Sequence, residues 1–187
     1  YSTSNTVFKT DDNPNGGSQS DLRIGMVVRV DGSIANKTAA TITEDSSLKG
    51  LVEQVLGSDR FVVMGQTVQT DATTRFETNN RPVVGERVEV HGLIAGDGVF
   101  SAGFIERKPS TPLPNPAFVV KGIVKAHTTA TQSFQIGALT VQYGGAAPGN
   151  LPTSGSWNGL QVEAKGNACT SPAPACGALV ATQLSLA

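Results

Sequence analysis

The stretch Gly25-Met-Val-Val-Arg-Val-Asp-Gly32 decides the fold, because it returns as Gly85-Glu-Arg-Val-Glu-Val-His-Gly92 and again as Gly159-Leu-Gln-Val-Glu-Ala-Lys-Gly166. In these copies Val28/Val30, Val88/Val90 and Val162/Ala164 alternate with Arg29, Glu89 and Glu163. An apolar period of two describes a half-buried β-strand. The bounding glycines predict that the chain turns at both ends of each strand.

The surroundings of the strand recur as well. Lys49-Gly-Leu-Val52 is answered by Lys121-Gly-Ile-Val124, Phe61-Val-Val-Met-Gly65 by Phe134-Gln-Ile-Gly137, and Thr67-Val68 by Thr140-Val141. After the repeated strand, Ala102-Gly-Phe-Ile105 is answered by Ala181-Thr-Gln-Leu184, and Asp97-Gly98 marks a tight hairpin. Each full unit thus predicts about five short strands in roughly 60–70 residues, enough to close a small barrel of the oligonucleotide/oligosaccharide-binding (OB-like) type. The expected fold class is all-β, in tandem five-stranded barrels. No convincing amphipathic helix is present; the best candidate, Ser46 to Leu56, is interrupted at Gly50 and carries valines.

The expected boundaries are 1–48 for a partial first repeat, 49–108 for a complete second, 109–117 for a proline-rich linker and 118–187 for a complete third. Proline-rich connections are extended and semi-rigid. Aligning Phe8 with Phe76 leaves the first unit without counterparts of residues 49–68. A barrel short of two strands has open backbone edges, which must be paired by something. The chain starts at Tyr1, which reads as a processed product or a fragment.

The 187 residues carry a net charge of -1, with only 16% charged residues and abundant glycine (21) and proline (10). That balance removes a global drive toward nucleic acid and suits a turn-rich β protein. No apolar run is long enough to span a bilayer as a helix. Cys169 and Cys176 flank a short Ser/Pro/Ala loop, and nothing nearby could complete a metal site with them. A disulfide is expected, and with it an oxidising compartment.

Chemistry-bearing residues are sparse. His91 falls out of phase with Val88 and Val90 and is expected to face solvent; His127 is read as a solvated residue after the opening strand of the third unit. Neither has a nucleophile and an orienting group in any visible motif, so no catalytic residue, cofactor or metal ligand is assigned. Asp11-Asp-Asn-Pro-Asn-Gly16 opens like a calcium loop, but its twelfth position is Leu22 in place of a bidentate Glu, so a plain polar loop is the favoured reading. Asn36-Lys-Thr38 fits a glycosylation sequon. Phe61 and Phe134 sit beside valines at equivalent positions and read as core; Trp157 is the aromatic chosen as a possible glycan contact.

The order Gly50-Leu-Val52, Phe61 to Gly65, Val68-Gln-Thr-Asp71, Thr74-Arg-Phe76, Gly85 to Gly92, Asp97-Gly98 and Ala102 to Ile105 resembles a bacterial secreted family, domain-of-unknown-function family 5666. The third unit departs from the pattern in its cysteine loop and its longer Gly144 to Ser156 loop, and the first matches only in its second half. The resemblance implies tandem modules of exported proteins and implies no enzymatic activity. The strand order is also similar to a periplasmic copper- or silver-binding barrel, but Met26, Met64 and Trp157 fall in separate units, so that metal site does not carry over.

The expectation is a non-catalytic, secreted, periplasmic or surface-exposed structural protein. Its partners would be copies of itself joined by strand complementation through the incomplete first barrel, as in a filament. The second expectation is a glycan- or ligand-binding module.

Overall fold

The computed structural model describes residues 5–10, 13–45, 48–111, 115–146 and 149–187. Among them the regular structure is all β, apart from one short 3-10 turn at Gln19–Asp21. The candidate helix beginning at Ser46 falls outside the described residues at its start and is strand thereafter.

The first ring is built by β4 (Leu48–Val55), β5 (Arg60–Val63), β6 (Gln66–Gln69), β8 (Arg87–Gly96) and β9 (Val99–Arg107), with the two-residue β7 (Arg75–Phe76) lying against β9. β4 pairs with β5, β5 with β6, β6 with β9, β9 with β8, and β8 with β4 again. The sheet therefore closes into a five-stranded barrel without free edges, which is how a small sheet avoids exposing its backbone. The alternation read in the sequence supplies the interior: Leu48, Val52, Val63, Val68, Val88 and Val90 are each 0% exposed.

The pairing order recurs downstream. β10 (Phe118–Thr128), β11 (Ser133–Ile136), β12 (Leu139–Gln142), β14 (Ala178–Leu186) and β13 (Gln161–Cys169) pair in turn, and β13 returns to β10. Phe134, Ile136, Val141, Val162, Ala164 and Leu179 fill this second ring.

The rings meet through equivalent parts. Leu48 pairs with Val120 and Lys49 with Val119, antiparallel. Leu48 and Val120 each precede a Lys-Gly pair, so the contact runs about a local two-fold axis. The turns on either side of Gly65 and Gly137 also meet: Ala138 N–H donates to Gly65 O at 3.3 Å, and Gln66 Nε2 donates to Ile136 O at 2.7 Å. Arg87 stacks on Phe118 and donates to Ala117 O at 2.7 Å. Lys121 pairs with Asp45, and Lys125 with Asp97.

One expectation about the repeated strand is corrected. Its first glycine does turn the chain, with φ of 98°, 87° and 87° at Gly25, Gly85 and Gly159. The second glycine does not end the strand. β2 (Val28–Ser33), β8 and β13 all run through it, and the pairing register shifts at Asp31/Gly32, His91/Gly92 and Lys165/Gly166. A Cβ at Gly32, Gly92 or Gly166 would lie 2.2, 2.3 or 2.2 Å from a carbonyl oxygen of the neighbouring strand. The glycine is there to let two backbones approach at a bulge.

Upstream of the rings lies a separate three-stranded sheet, in the order β1 (Val7–Lys9), β3 (Thr38–Glu44), β2. It reproduces part of a ring. Phe8 pairs in parallel with Ile42 as Phe76 does with Ile105, and Val30 pairs with Ile42 as Val90 does with Ile105. Its strands thus stand where β7, β9 and β8 stand in the first ring.

Candidate functional site

The open sheet differs from a ring in what it leaves exposed. In the first ring β4 covers the edge of β8 and pairs Leu48 with Val90 and Gly50 with Val88. Among the described residues no strand covers the outer edge of β2. Val28 and Val30 are accordingly 37% and 51% exposed, where Val88 and Val90 are 0%. Ile34 (89%) extends the apolar surface, and a shallow depression runs along Val30, Gly32, Ser33, Ile34 and Thr38. Exposed apolar strand edges are templates for further pairing. On the other face Arg29 and Asp31 lie 3.6 Å apart, well exposed.

Where this sheet docks on the first ring, a buried charged seam forms. His91 Nε2 lies 3.2 Å from Glu44 Oε1, with the side chains 0% and 3% exposed. Lys108 and Lys49 reach Glu89 Oε2 at 3.0 and 3.4 Å, and Lys108 also reaches Glu106 at 3.0 Å. The expectation that His91 faces solvent is therefore corrected. Its phase was read properly: Val88 and Val90 point into the barrel and His91 points out. The outer face, however, is roofed by the end of β3 and by Phe104, whose ring lies 5.7 Å from the imidazole. Beside the seam a polar cavity of about 220 Å³ is lined by Thr10, Arg23, Met26, Glu44, Phe104 and Glu106.

Oxygen and nitrogen atoms of Glu44, Glu89 and His91 lie within 4.8 Å of one another. Two carboxylates and an imidazole could hold a first-row divalent cation. The two ammonium groups on Glu89 oppose that use, because they supply the positive charge an ion would bring. The lysines pair with Glu89 within the first ring, and the His91–Glu44 contact joins that ring to the sheet.

The second ring gathers an aromatic cluster. The His127 ring stacks on Trp157 at 4.4 Å with a 12° tilt and lies 5.7 Å from Tyr143. Trp157 N–H donates to His127 Nδ1 at 3.1 Å, so Nε2 carries the proton and donates to the Tyr143 hydroxyl at 2.8 Å. Burial holds the imidazole below its usual 6.5 and the Tyr143 phenol above its usual 10.0. His127 is thus half-buried at the end of β10, not solvated as expected. Trp157 is only 7% exposed, and its Nε1 donates to Pro152 O at 3.0 Å. His127, together with Thr128, Gly155 and Ser156, lines an open depression beside it.

Cys169 and Cys176 are joined in a disulfide. Cys176 N–H donates to Glu53 Oε1 at 3.3 Å, tying the loop to the first ring. Burial raises the Glu53 carboxyl above its usual 4.5, more than N–H donation from Cys176 and Gly65 lowers it. Of the calcium-like loop, Asp11 and Asp12 lie outside the described residues. Asn13 is held by mutual backbone hydrogen bonds with Thr10.

The residues missed in the sequence are Glu44, Lys49, Glu89 and Lys108. The only local signal was Glu89 and His91 on one face of a strand, which by itself reads as a solvated face.

The architecture defines the chain as an all-β protein built on closed five-strand barrels. Within it, residues 49–106, which span the first ring, match the family described as "Domain of unknown function (DUF5666)". Comparison with curated proteins and with solved structures finds no match. No helix among the described residues is long and apolar enough to cross a membrane.

Proposed function

We propose that this chain is a non-catalytic structural module of an extracytoplasmic assembly, and that its open first sheet is the face that joins a partner. The observation that carries this reading is the uncovered β2 edge, with Val28 and Val30 exposed where Val88 and Val90 are buried. A strand added along that edge would complete what β4 completes in the first ring, which is recognition by β-addition. The recurring pairing order supports tandem copies of one OB-like unit. The disulfide supports a secreted, periplasmic or surface location. Added head to tail, such strands would build an open filament; added about a two-fold, they would close a pair.

The test is hydrogen exchange at the β2 amides, with light scattering, over a concentration series and with an added peptide of residues 48–55. Protection of β2 on self-association or on peptide uptake supports the reading. A monomer at high concentration whose β2 amides stay unprotected with the peptide refutes it.

A glycan-binding role is the second reading. It draws on the depression beside the His127–Trp157 stack. A glycan-array screen of the chain and of Trp157→Ala separates it from the first.

A further inference from the structure

We propose that two copies of this chain pair edge to edge along β2, antiparallel and centred on Val30, so that each Arg29 lies opposite the partner's Asp31. The inference rests on the reading of the first sheet as an assembly face, and it names the occupant and the register.

Three observations fix the geometry. First, direction: Val27 C=O accepts from Asp45 N–H at 2.9 Å, so Val27 and Arg29 turn their backbone groups toward β3. By alternation Val28 and Val30 turn theirs outward. Outward positions must meet outward positions, so a two-fold axis passes through a residue and not between two.

Second, charge. An axis through Arg29 would set two guanidinium groups against each other, and an axis through Asp31 would set two carboxylates against each other. Through Val30, Arg29 meets Asp31 twice, in the closer, non-hydrogen-bonded type of pair. Axes further along either way leave much of Val28–Ser33 without a partner. Arg29 and Asp31 already share one exposed face at 3.6 Å, so the pairing adds two contacts without moving either.

Third, the apolar face. Val30 of one copy faces Val30 of the other and each Val28 falls opposite Gly32, diagonal to the facing Val30, with Ile42 behind each Val30 as its cross-strand neighbour. Two half-barrels joined in this way place their apolar faces on one side of a six-stranded sheet, whose right-handed twist curls it toward closure.

The experiment uses charge reversal and mixing. Arg29→Asp makes both positions acidic and Asp31→Arg makes both basic. Each variant alone turns two attractive pairs into two repulsive ones, weakening the dimer on the order of thirtyfold. An equimolar mixture restores both attractions and recovers the dimer. The side chains are 67% and 61% exposed, so the fold is retained, and far-UV circular dichroism checks it. Monomeric single variants with a dimeric mixture support the inference. Variants that associate as strongly as the parent, or a mixture that stays monomeric, overturn it. A parent that stays monomeric but takes up the 48–55 peptide at β2 also overturns it, while leaving the assembly reading standing.

Discussion

Replacing Gly92 by alanine tests whether the repeated strand uses its second glycine for close backbone approach. A Cβ at Gly92 would stand 2.3 Å from Ser101 O and 3.1 Å from Ala102 Cα. Comfortable contact begins at about 3.5 Å, so β9 would have to withdraw by roughly 1 Å. It would do so within the β8–β9 pairing that closes the first ring. Overpacking of this kind costs about 1–3 kcal/mol. Loss of freedom in the unfolded chain returns roughly 0.4–1 kcal/mol. The net is a destabilisation of about 1–2 kcal/mol, or a fall in Tm of roughly 2–8 °C for a chain of this size. Gly166→Ala, with 2.2 Å to Val180 O, should behave alike. Gly145 has nothing within 4 Å and no positive φ, so Gly145→Ala should be neutral or stabilising by up to about 1 kcal/mol. Differential scanning calorimetry compares the three. A Gly92→Ala protein as stable as Gly145→Ala refutes the close-approach argument.

Three further outcomes are expected. Trp157 is the single tryptophan and stacks on His127, so its fluorescence should report imidazole protonation. Because burial lowers the folded value below 6.5, the stability this neutral histidine lends is present above that pH and lost as pH falls through the folded value. The quenching midpoint should lie below 6.5 and vanish in His127→Gln; a midpoint above 6.5 contradicts the burial assignment. Glu53 is raised from 4.5, so its ionisation costs stability as pH rises from 4.5 through the folded value, and nothing well below 4.5. Glu53→Gln should therefore exceed the parent in urea midpoint at neutral pH and converge on it in acid; a gap that does not change with pH rules this out. Finally, Cys169→Ser with Cys176→Ser removes a cross-link of sequence separation 7 and should cost about 2–3 kcal/mol in denaturant unfolding; an unchanged midpoint contradicts this.

The barrels were legible because they depend on short-range alternation. Val88/Val90 and Val162/Ala164 show a period of two, and closing the sheet needs little more than five such strands and their turns. Phe61 and Phe134 were recognisable as core for the same reason. The seam was not legible, because alternation states only that His91 and Glu89 leave the barrel interior. Whether they reach water depends on Glu44 and Phe104, one of them from another sheet. Gly32, Gly92 and Gly166 were seen as important but misread, since a glycine that turns the chain and a glycine that admits a neighbouring backbone look the same in one dimension. Only the register of the paired strand separates them.

Leu48 and Lys49 are paired on both sides, with Val90 and Glu89 of β8 and with Val120 and Val119 of β10. The rings therefore share a ladder, and their mutual pose is set by backbone hydrogen bonds and the side-chain contacts around them. The proline-rich segment that connects them is a tether, not a joint. Lengthening it should change little beyond loop-closure entropy, about 0.6 kcal/mol per doubling, while a proline at Lys49 should loosen one barrel from the other.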